Sequence, residues 1–107
     1  MKERNLAGKY AKALVETRKN EVEYKAVKGE LLLFLDMLRK DKKLNTGMST
    51  LLFSYKQKVS IINLVKNKTG LSEKTYNFLN AVIEEKRIVY LETMVDLMDD
   101  LWFETRG

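Results

Sequence analysis

Apolar residues recur along this chain at the spacing of an α-helix, in several separate segments. The first segment runs from Leu6 to about Thr17, and its apolar and small residues fall at i, i+4, i+7, i+8 and i+11: Leu6, Tyr10, Ala13, Leu14 and Thr17. These positions form one stripe of a 3.6-residue period. The small side chains of Ala7, Ala11 and Ala13 leave room for a second helix to approach closely. The pattern predicts a first helix that packs against a neighbour.

A second helix is predicted to begin after Asn20. Asn20 followed by Glu23 has the spacing of a capping box, in which each side chain accepts a hydrogen bond from the other residue's backbone N–H. The buried stripe is Val27, Leu31, Phe34, Leu35 and Leu38. The charged run at residues 39–43 is typical of a helix end. Periodicity is weak from Leu44 to Phe53, which predicts a short helix or a turn.

Three further helices are marked by their end signals. Ser54 and Gln57 form a second capping box, and Gly70 suits the left-handed residue that closes a helix. Ser72 then caps a fifth helix, whose stripe is Tyr76, Leu79, Val82 and Ile83. The last helix begins at about Ile88 and turns inward Ile88, Leu91, Met94, Val95, Met98, Leu101 and Trp102. Met37, Met48, Met94 and Met98 are expected in the core.

Composition supports helix throughout. The 107 residues include no proline and only five glycines, so nothing forces a break inside a long helix. β-Branched residues are scattered and do not form alternating runs, which argues against a sheet. Amphipathic helices joined by short connections bury their stripes only against one another. The predicted fold is therefore all-α, a six-helix bundle forming a single compact domain.

The chain lacks the side chains on which much enzyme chemistry depends. It has no cysteine and no histidine, which removes thiolate nucleophiles and the usual zinc ligands. The densest carboxylates, at Glu84-Glu85, Glu92 and Asp99-Asp100, include neighbours that point about 100° apart on a helix, whereas acid–base catalysis requires two carboxyls facing each other. We predict no catalytic residues, no metal site and no cofactor. The longest apolar run, Leu31 to Leu35, is also too short to insert into a membrane.

Charge is distributed unevenly along the chain. Residues 1–70 hold 16 basic and 7 acidic side chains, whereas residues 71–107 hold 4 and 8. A solvated lysine-rich surface is the simpler interpretation, because no aromatic-basic alternation accompanies the charge. The alternative is a helical nucleic-acid-binding domain that uses Lys40, Lys42, Lys43, Lys56, Lys58, Lys66 and Lys68. A self-associating bundle is a third possibility, and light scattering would separate it from a monomer of 12.5 kDa.

Two strips remain after the core stripes are assigned. Asn77, Phe78 and Ala81 lie beside the stripe of the fifth helix, and Tyr10 and Ala13 lie at the edge of the stripe of the first. Narrow apolar strips of this kind fit a groove that receives an amphipathic helix from a partner. The competing interpretation is that the two strips bury each other, and periodicity does not separate the two.

The order of motifs resembles that of the N-terminal domain of the δ subunit of rotary F-type ATP synthases, called the oligomycin-sensitivity-conferring protein in mitochondria. Residues 10–14, Tyr-Ala-Lys-Ala-Leu, are similar to the family's opening segment. The resemblance continues through Lys58 with its following apolar positions Ile61, Ile62, Leu64 and Val65, through Asn77-Phe78-Leu79, and through residues 84–88, Glu-Glu-Lys-Arg-Ile, which look like the family's E-N-G-R-L. It ends at Glu104-Thr105-Arg106-Gly107 and covers nearly the whole chain.

The resemblance implies a six-helix bundle and a non-catalytic role in the stator. In the family, this domain sits on the catalytic head and grips the N-terminal helix of an α subunit between helices one and five. Carried over position by position, the groove residues are Tyr10, Ala13, Leu14, Asn77, Phe78 and Ala81. A C-terminal domain holds the peripheral-stalk b subunits, and we expect that domain to be absent from residues 1–107. The resemblance also implies a peripheral location on the cytoplasmic face of the bacterial plasma membrane, and no nucleic-acid partner.

The chain departs from the family pattern in three places. Glu85-Lys86 stands where the family has Asn-Gly, so a left-handed turn is either lost or carried by a costlier residue. Prolines that family members often carry around the third helix are missing. The chain also stops at Gly107, where a second domain is expected to begin, which suggests an isolated domain or a fragment.

Overall fold

The computed structural model describes the backbone of residues 2–106 and the side chains of residues 4–104. Within that range the chain forms six α-helices and no strand. The helices are α1 (Lys2–Glu16), α2 (Glu21–Lys40), α3 (Lys42–Ser49), α4 (Tyr55–Thr69), α5 (Glu73–Glu84) and α6 (Leu91–Arg106), with a single 3-10 turn (Ile88–Tyr90) before α6. The all-α prediction and the count of six are confirmed. The side chains of Thr105 to Gly107, where the family resemblance ends, lie outside the described residues.

The terminal helices form the most extensive helix pair. Ala7 and Ala11 of α1 are completely buried, and α1 packs along α6 more closely than any other two helices among the described residues. A Cβ placed on Gly8 would sit 3.9 Å from Leu97 Cδ1, which is ordinary van der Waals contact. Small side chains bring the two helices together, as their positions in the sequence predicted.

The predicted stripe of α1 is wrong by one position. The buried residues are Ala7, Ala11, Leu14, Val15 and Arg18, whereas Leu6 and Tyr10 are half-buried, and Ala13 and Thr17 are exposed. Alanine contributes little to a hydrophobic pattern, so the larger Leu6 and Tyr10 dominated the sequence signal. Apart from Leu14, the residues expected in the core therefore lie on the solvent-facing flank of the first helix.

The other helices contribute to one contiguous core. At its centre lie the fully buried side chains Leu31 and Phe34 of α2, Met48 of α3, Ile62 of α4, Leu79 of α5, and Leu91 and Met98 of α6. The core stripes of α2, α5 and α6 are confirmed, apart from the half-buried Tyr76 and Leu101. The methionine prediction also holds, although Met37 is only half-buried. The radius of gyration of 13.5 Å is that of a compact domain of this length.

Most of the predicted helix caps are present. Ser54 and Gln57 form a reciprocal capping box, Gly70 is left-handed at φ 72°, and the Ser72 side chain accepts from Thr75 N–H. At Asn20 only half of the box forms. Its side chain accepts from Glu23 N–H at 2.9 Å, but the Glu23 carboxylate accepts from Lys19 N–H and not from Asn20.

One residue joins α2 to α3. Asp41 ends α2 through its backbone N–H, which donates to Met37 O, and begins α3 through its carboxylate, which accepts from the N–H groups of Lys43 and Leu44. The charged run at residues 39–43 therefore spans a helix end and a helix start. The ambiguous segment from Leu44 to Phe53 divides into the rest of α3 and an extended connection to α4.

Lys86 occupies the left-handed position that glycine holds in the family pattern. Its φ is 61°, and it is the only non-glycine residue with positive φ in the described backbone. Arg87 N–H donates to Val82 O, and Lys86 N–H donates to Ile83 O, which is the Schellman arrangement at the end of α5. The turn is kept, and a β-carbon sits where it is unfavourable.

A polar cluster fastens α6 to α2. Tyr24 stacks on Trp102 with ring centroids 4.5 Å apart, and its hydroxyl donates to the Asp99 carboxylate. Lys28 Nζ donates to the other carboxylate oxygen of Asp99 at 2.7 Å. The hydrogen bonds from Lys28 and Tyr24 lower the pKa of Asp99, and burial beside Asp99 raises the pKa of Tyr24.

Replacing Lys86 by glycine should stabilise the domain. Lys86→Gly removes the left-handed strain but adds unfolded-state entropy, which leaves a net gain of up to about 1 kcal/mol in the free energy of unfolding. Glu85→Gly is the matched control, because Glu85 has φ −80° and should only lose stability. Urea denaturation measures both, and a loss of stability in Lys86→Gly would contradict the strained turn.

The Asp99 cluster should make stability depend on acidic pH. A lowered folded pKa means that the charge of Asp99 contributes stability above its unfolded pKa of about 4 and loses that contribution as pH falls through the folded pKa. Asp99→Asn keeps a hydrogen-bond acceptor and removes the charge. The variant should be less stable than the parent at pH 7 by about 1 kcal/mol or less, since the site is half exposed. Urea titrations at pH 7 and pH 2.5, the latter an acid point of about one and a half units below the unfolded value, should show the difference becoming smaller at the acid point; a constant difference would contradict the assignment.

Candidate functional site

The six residues predicted to line a partner groove lie on the outer sides of α1 and α5. Ala13, Asn77 and Ala81 are exposed, and Tyr10 and Phe78 are half-buried. Leu14 is buried and belongs to the core. The strips are therefore not sealed inside the domain, and the alternative in which they bury each other does not hold for Ala13 and Ala81.

α1 and α5 line the same core without an extensive contact of their own. Tyr10 and Phe78 both pack on the edge of the common core cluster. Within the described part of the chain, α1 packs mainly on α6, whereas α5 packs on α4 and α2. The shift of the buried α1 stripe to the alanines leaves Leu6, Tyr10, Ala13 and Thr17 along one outer line. The name α1–α5 surface is given to this line and the strip of α5 taken together.

Charged groups lie on both helices outside these strips. Lys12 and Glu16 of α1 form an i,i+4 ion pair at 3.9 Å, and Lys74 at the start of α5 lies 3.6 Å from Glu23 of α2. The six predicted residues themselves carry no charge. Small, apolar and uncharged side chains next to charged neighbours are typical of a surface that accepts one side of an amphipathic helix.

A side chain from α2 fixes the start of α5. The Glu30 carboxylate accepts from the backbone N–H and the hydroxyl of Ser72, each at 2.9 Å, and from the hydroxyl of Thr75. Thr75 is completely buried. A carboxylate at the N-terminus of a helix also favours the positive end of its dipole. No local pattern predicted this contact, because 42 residues separate Glu30 from Ser72.

Two clefts near α1 and α5 are among those that the sequence did not predict. One, of about 470 Å³, lies between α1 and α6 on a different side of α1, with Gly8, Lys9 and Lys12 facing Leu97 and Asp100. The other, of about 350 Å³, lies between the connection before α4 and the end of α5. Neither coincides with the α1–α5 surface.

Two of the carboxylates singled out in the sequence, Glu92 and Asp99, are held by side chains of another helix. Glu92 forms an ion pair with Arg39 at 3.1 Å, and Asp99 belongs to the cluster with Tyr24 and Lys28. No group of three or more metal-ligating side chains is found in that part of the chain. None of the described helices is long and apolar enough to cross a membrane.

The lysines of the nucleic-acid alternative are not equally available. Lys40 pairs with Asp36 at 2.9 Å. Lys66 pairs with Glu73 and lies 4.4 Å from the ring centroid of Tyr76. Lys58 is buried. Only four of the seven, Lys42, Lys43, Lys56 and Lys68, are exposed without an ion pair among the described residues, so the predicted basic set does not form one free surface.

The described residues belong by fold to the class of compact all-α helical bundles. Comparison of the sequence narrows this class. The profile of the ATP synthase delta (OSCP) subunit family matches residues 6–107. The chain therefore belongs to the ATP synthase delta (OSCP) subunit family.

Individual relatives agree with the family assignment. The chain is 30% identical over 102 residues to the ATP synthase subunit delta of Parvibaculum lavamentivorans, which covers 95% of this chain and 53% of that protein. It is 26% identical over 102 residues to the subunit delta of Chelativorans sp., covering 95% and 55%. For Desulfatibacillum aliphaticivorans the identity is 24% over 107 residues, covering 100% and 58%. The chain thus spans about half the length of these curated relatives. No solved structure shows a significant match.

Removing the Glu30 carboxylate should destabilise the domain through α5. Glu30→Ala deletes three hydrogen bonds to a charged acceptor, and we expect a loss of about 1.5–3 kcal/mol in the free energy of unfolding. Glu21→Ala, on the same helix, removes an exposed i,i+4 pair with Lys25 and should cost less than about 0.5 kcal/mol. Chemical denaturation compares the two. Equal small effects would mean that Glu30 does not fix α5.

Proposed function

We propose that this chain is a non-catalytic stator domain of an F-type ATP synthase, and that the α1–α5 surface binds the N-terminal helix of an α subunit. The observation that carries the proposal is the exposure of small uncharged residues, Ala13 and Ala81 above all, on two helices that share a core but contact each other little. Membership in the ATP synthase delta (OSCP) subunit family supports the ATP synthase as the complex in which such a surface would act.

The shape of the surface suits a helix as its occupant. Side chains of alanine allow a partner backbone to approach closely, while Tyr10 and Phe78 supply larger apolar area at the edge of the core. Asn77 offers an amide that bonds to a polar group at the rim of the contact. An α-subunit helix would place apolar residues at i, i+3, i+4 and i+7 against this surface.

The wider role follows the family. As part of the complete subunit, the domain would connect the catalytic head to the peripheral-stalk b subunits through a C-terminal domain and resist the torque of rotation. Its place would then be peripheral, on the cytoplasmic face of the bacterial plasma membrane. In this role the domain itself needs no cofactor, metal or nucleic acid.

A peptide titration tests the α-subunit contact. A synthetic peptide of about 20 residues from the N-terminus of the cognate α subunit, enough for more than five helical turns, should bind this chain in calorimetry. Ala13→Glu and Ala81→Glu should each weaken binding by about 2 kcal/mol or more, which is roughly a 30-fold rise in Kd, because a charge is forced into an apolar contact.

The matched control is Ala26→Glu, which places the same charge on an exposed alanine of α2. It should bind the peptide like the parent chain. Thermal unfolding of all three variants checks that the folded state is kept. Parent-like titrations for both Ala13→Glu and Ala81→Glu would rule out the α1–α5 surface as the docking site.

A further inference from the structure

The cleft before α4 combines apolar walls with charged groups. Leu51 and Phe53 of the connection and Ile83 of α5 line it, together with Lys58, Glu84 and Lys86. The N-terminus of α4 closes one side, through Ser54 and Tyr55. The cleft lies at the packed junction of α4 and α5, and is distinct from the α1–α5 surface.

Lys58 is the unusual residue of this cleft. Only 7% of its surface is exposed, yet its ammonium group forms no ion pair and no hydrogen bond with any described residue. The buried part is the aliphatic stem, whereas the ammonium nitrogen itself is still open to solvent on the side of the cleft. Two other lysines that reach across to a second helix do form ion pairs, Lys28 with Asp99 and Lys66 with Glu73. Lys58 thus lines the cleft as a cation that the chain itself does not neutralise.

The first turn of α4 adds hydrogen-bond donors. The capping box uses the amides of Ser54 and Gln57. The amides of Tyr55 and Lys56 have no acceptor in the part of the chain that the structure describes. Together with the positive end of the helix dipole, they favour a negatively charged ligand on the same side as Lys58.

The rim of the cleft is strongly apolar. Leu51 and Leu52 are 84% and 90% exposed, although the connection is held in place by Phe53. A Cβ on Gly47 would lie 3.2 Å from Cε2 of the Phe53 ring, so the ring packs against the glycine more closely than a side chain there would permit. Two exposed leucines on an anchored connection are typical of a contact surface that a partner covers.

We propose that this cleft binds one carboxylate side chain of a partner polypeptide, with apolar neighbours of that side chain covering Leu51 and Leu52. The carboxylate would accept from Lys58 and from the first turn of α4. A small inorganic anion would leave the leucines exposed. Glu84 and Lys86 also line the cleft. The negative charge of Glu84 repels a doubly charged phosphate, whereas the positive charge of Lys86 partly offsets it, so the cleft accommodates a single negative charge. The proposal does not depend on the α-subunit contact.

Two blocked hexapeptides test the proposal by NMR titration of the chain. Both carry leucines on either side of a central residue, which is glutamate in one peptide and glutamine in the other. The glutamate peptide should bind, shift the amide signals of Tyr55 and Lys56, and do so roughly tenfold more tightly than the glutamine peptide. Inorganic phosphate is titrated in parallel and should compete only weakly.

Lys58→Met keeps the apolar stem of the side chain and removes the charge. It should lower the affinity for the glutamate peptide roughly tenfold with little change in the melting temperature, because the buried stem is kept and only a solvent-accessible ammonium is removed. Lys68→Met, on the exposed part of the same helix, is the matched control and should change neither quantity. Leu52→Ser should weaken peptide binding without affecting the melting temperature, and it serves if Lys58→Met does not fold.

Three results would overturn the proposal. The first is equal affinity for the two peptides or no binding of either at millimolar concentration. The second is unchanged glutamate-peptide affinity in both Lys58→Met and Leu52→Ser. The third is phosphate binding as tight as that of the glutamate peptide, which would make the cleft a site for simple anions and not for a polypeptide.

Discussion

Close packing of the first and last helices is the contact on which the rest of this domain depends. Ala7 and Ala11, with no side chain beyond Cβ, let the backbone of α1 lie against α6, and that contact closes the bundle by joining the two ends of the chain. The consequence for the surface is direct. Because the small residues face inward, the larger Leu6 and Tyr10 are displaced to the flank, where they extend the apolar area next to Ala13.

The sequence predicted most of the fold because its helix ends are marked by short-range chemistry. Ser54, Gly70 and Ser72 each act within four residues of their own position, so a local pattern suffices to place them. The prediction failed where energy depends on a distant partner. The α1 stripe was misplaced because the extent to which an alanine is buried depends on the helix that packs against it. The second hydrogen bond of the capping box at Asn20 is missing because the Glu23 carboxylate accepts from Lys19 N–H and lies near Lys74 instead.

The two candidate sites also differ in whether local patterns or distant contacts determine them. Exposure of Asn77 and Ala81 agrees with the strip assigned from periodicity, because periodicity reports which residues are left outside a stripe, whereas Ala13 is exposed although the predicted stripe of α1 included it. The cleft at Lys58 was not predicted, since a lysine in a basic half of the chain is expected to be solvated. Only the packing of α4 on α5, with Phe53 packed on Gly47, shows that the stem of this particular lysine is buried while its ammonium reaches the cleft. Family membership then indicates the complex, while the chemistry of each surface comes from this chain's own residues.

The double use of Asp41 has a mechanical consequence. Since the residue that terminates α2 also initiates α3, no slack segment separates the two helices, and they form a stiff elbow. A sideways pull on α3 is therefore transmitted to α2, and through Tyr24, Lys28 and Glu30 to α6 and α5, before any backbone torsion relaxes. Such a joint resists bending, because no flexible connection lies between α2 and α3 in which a displacement could be absorbed.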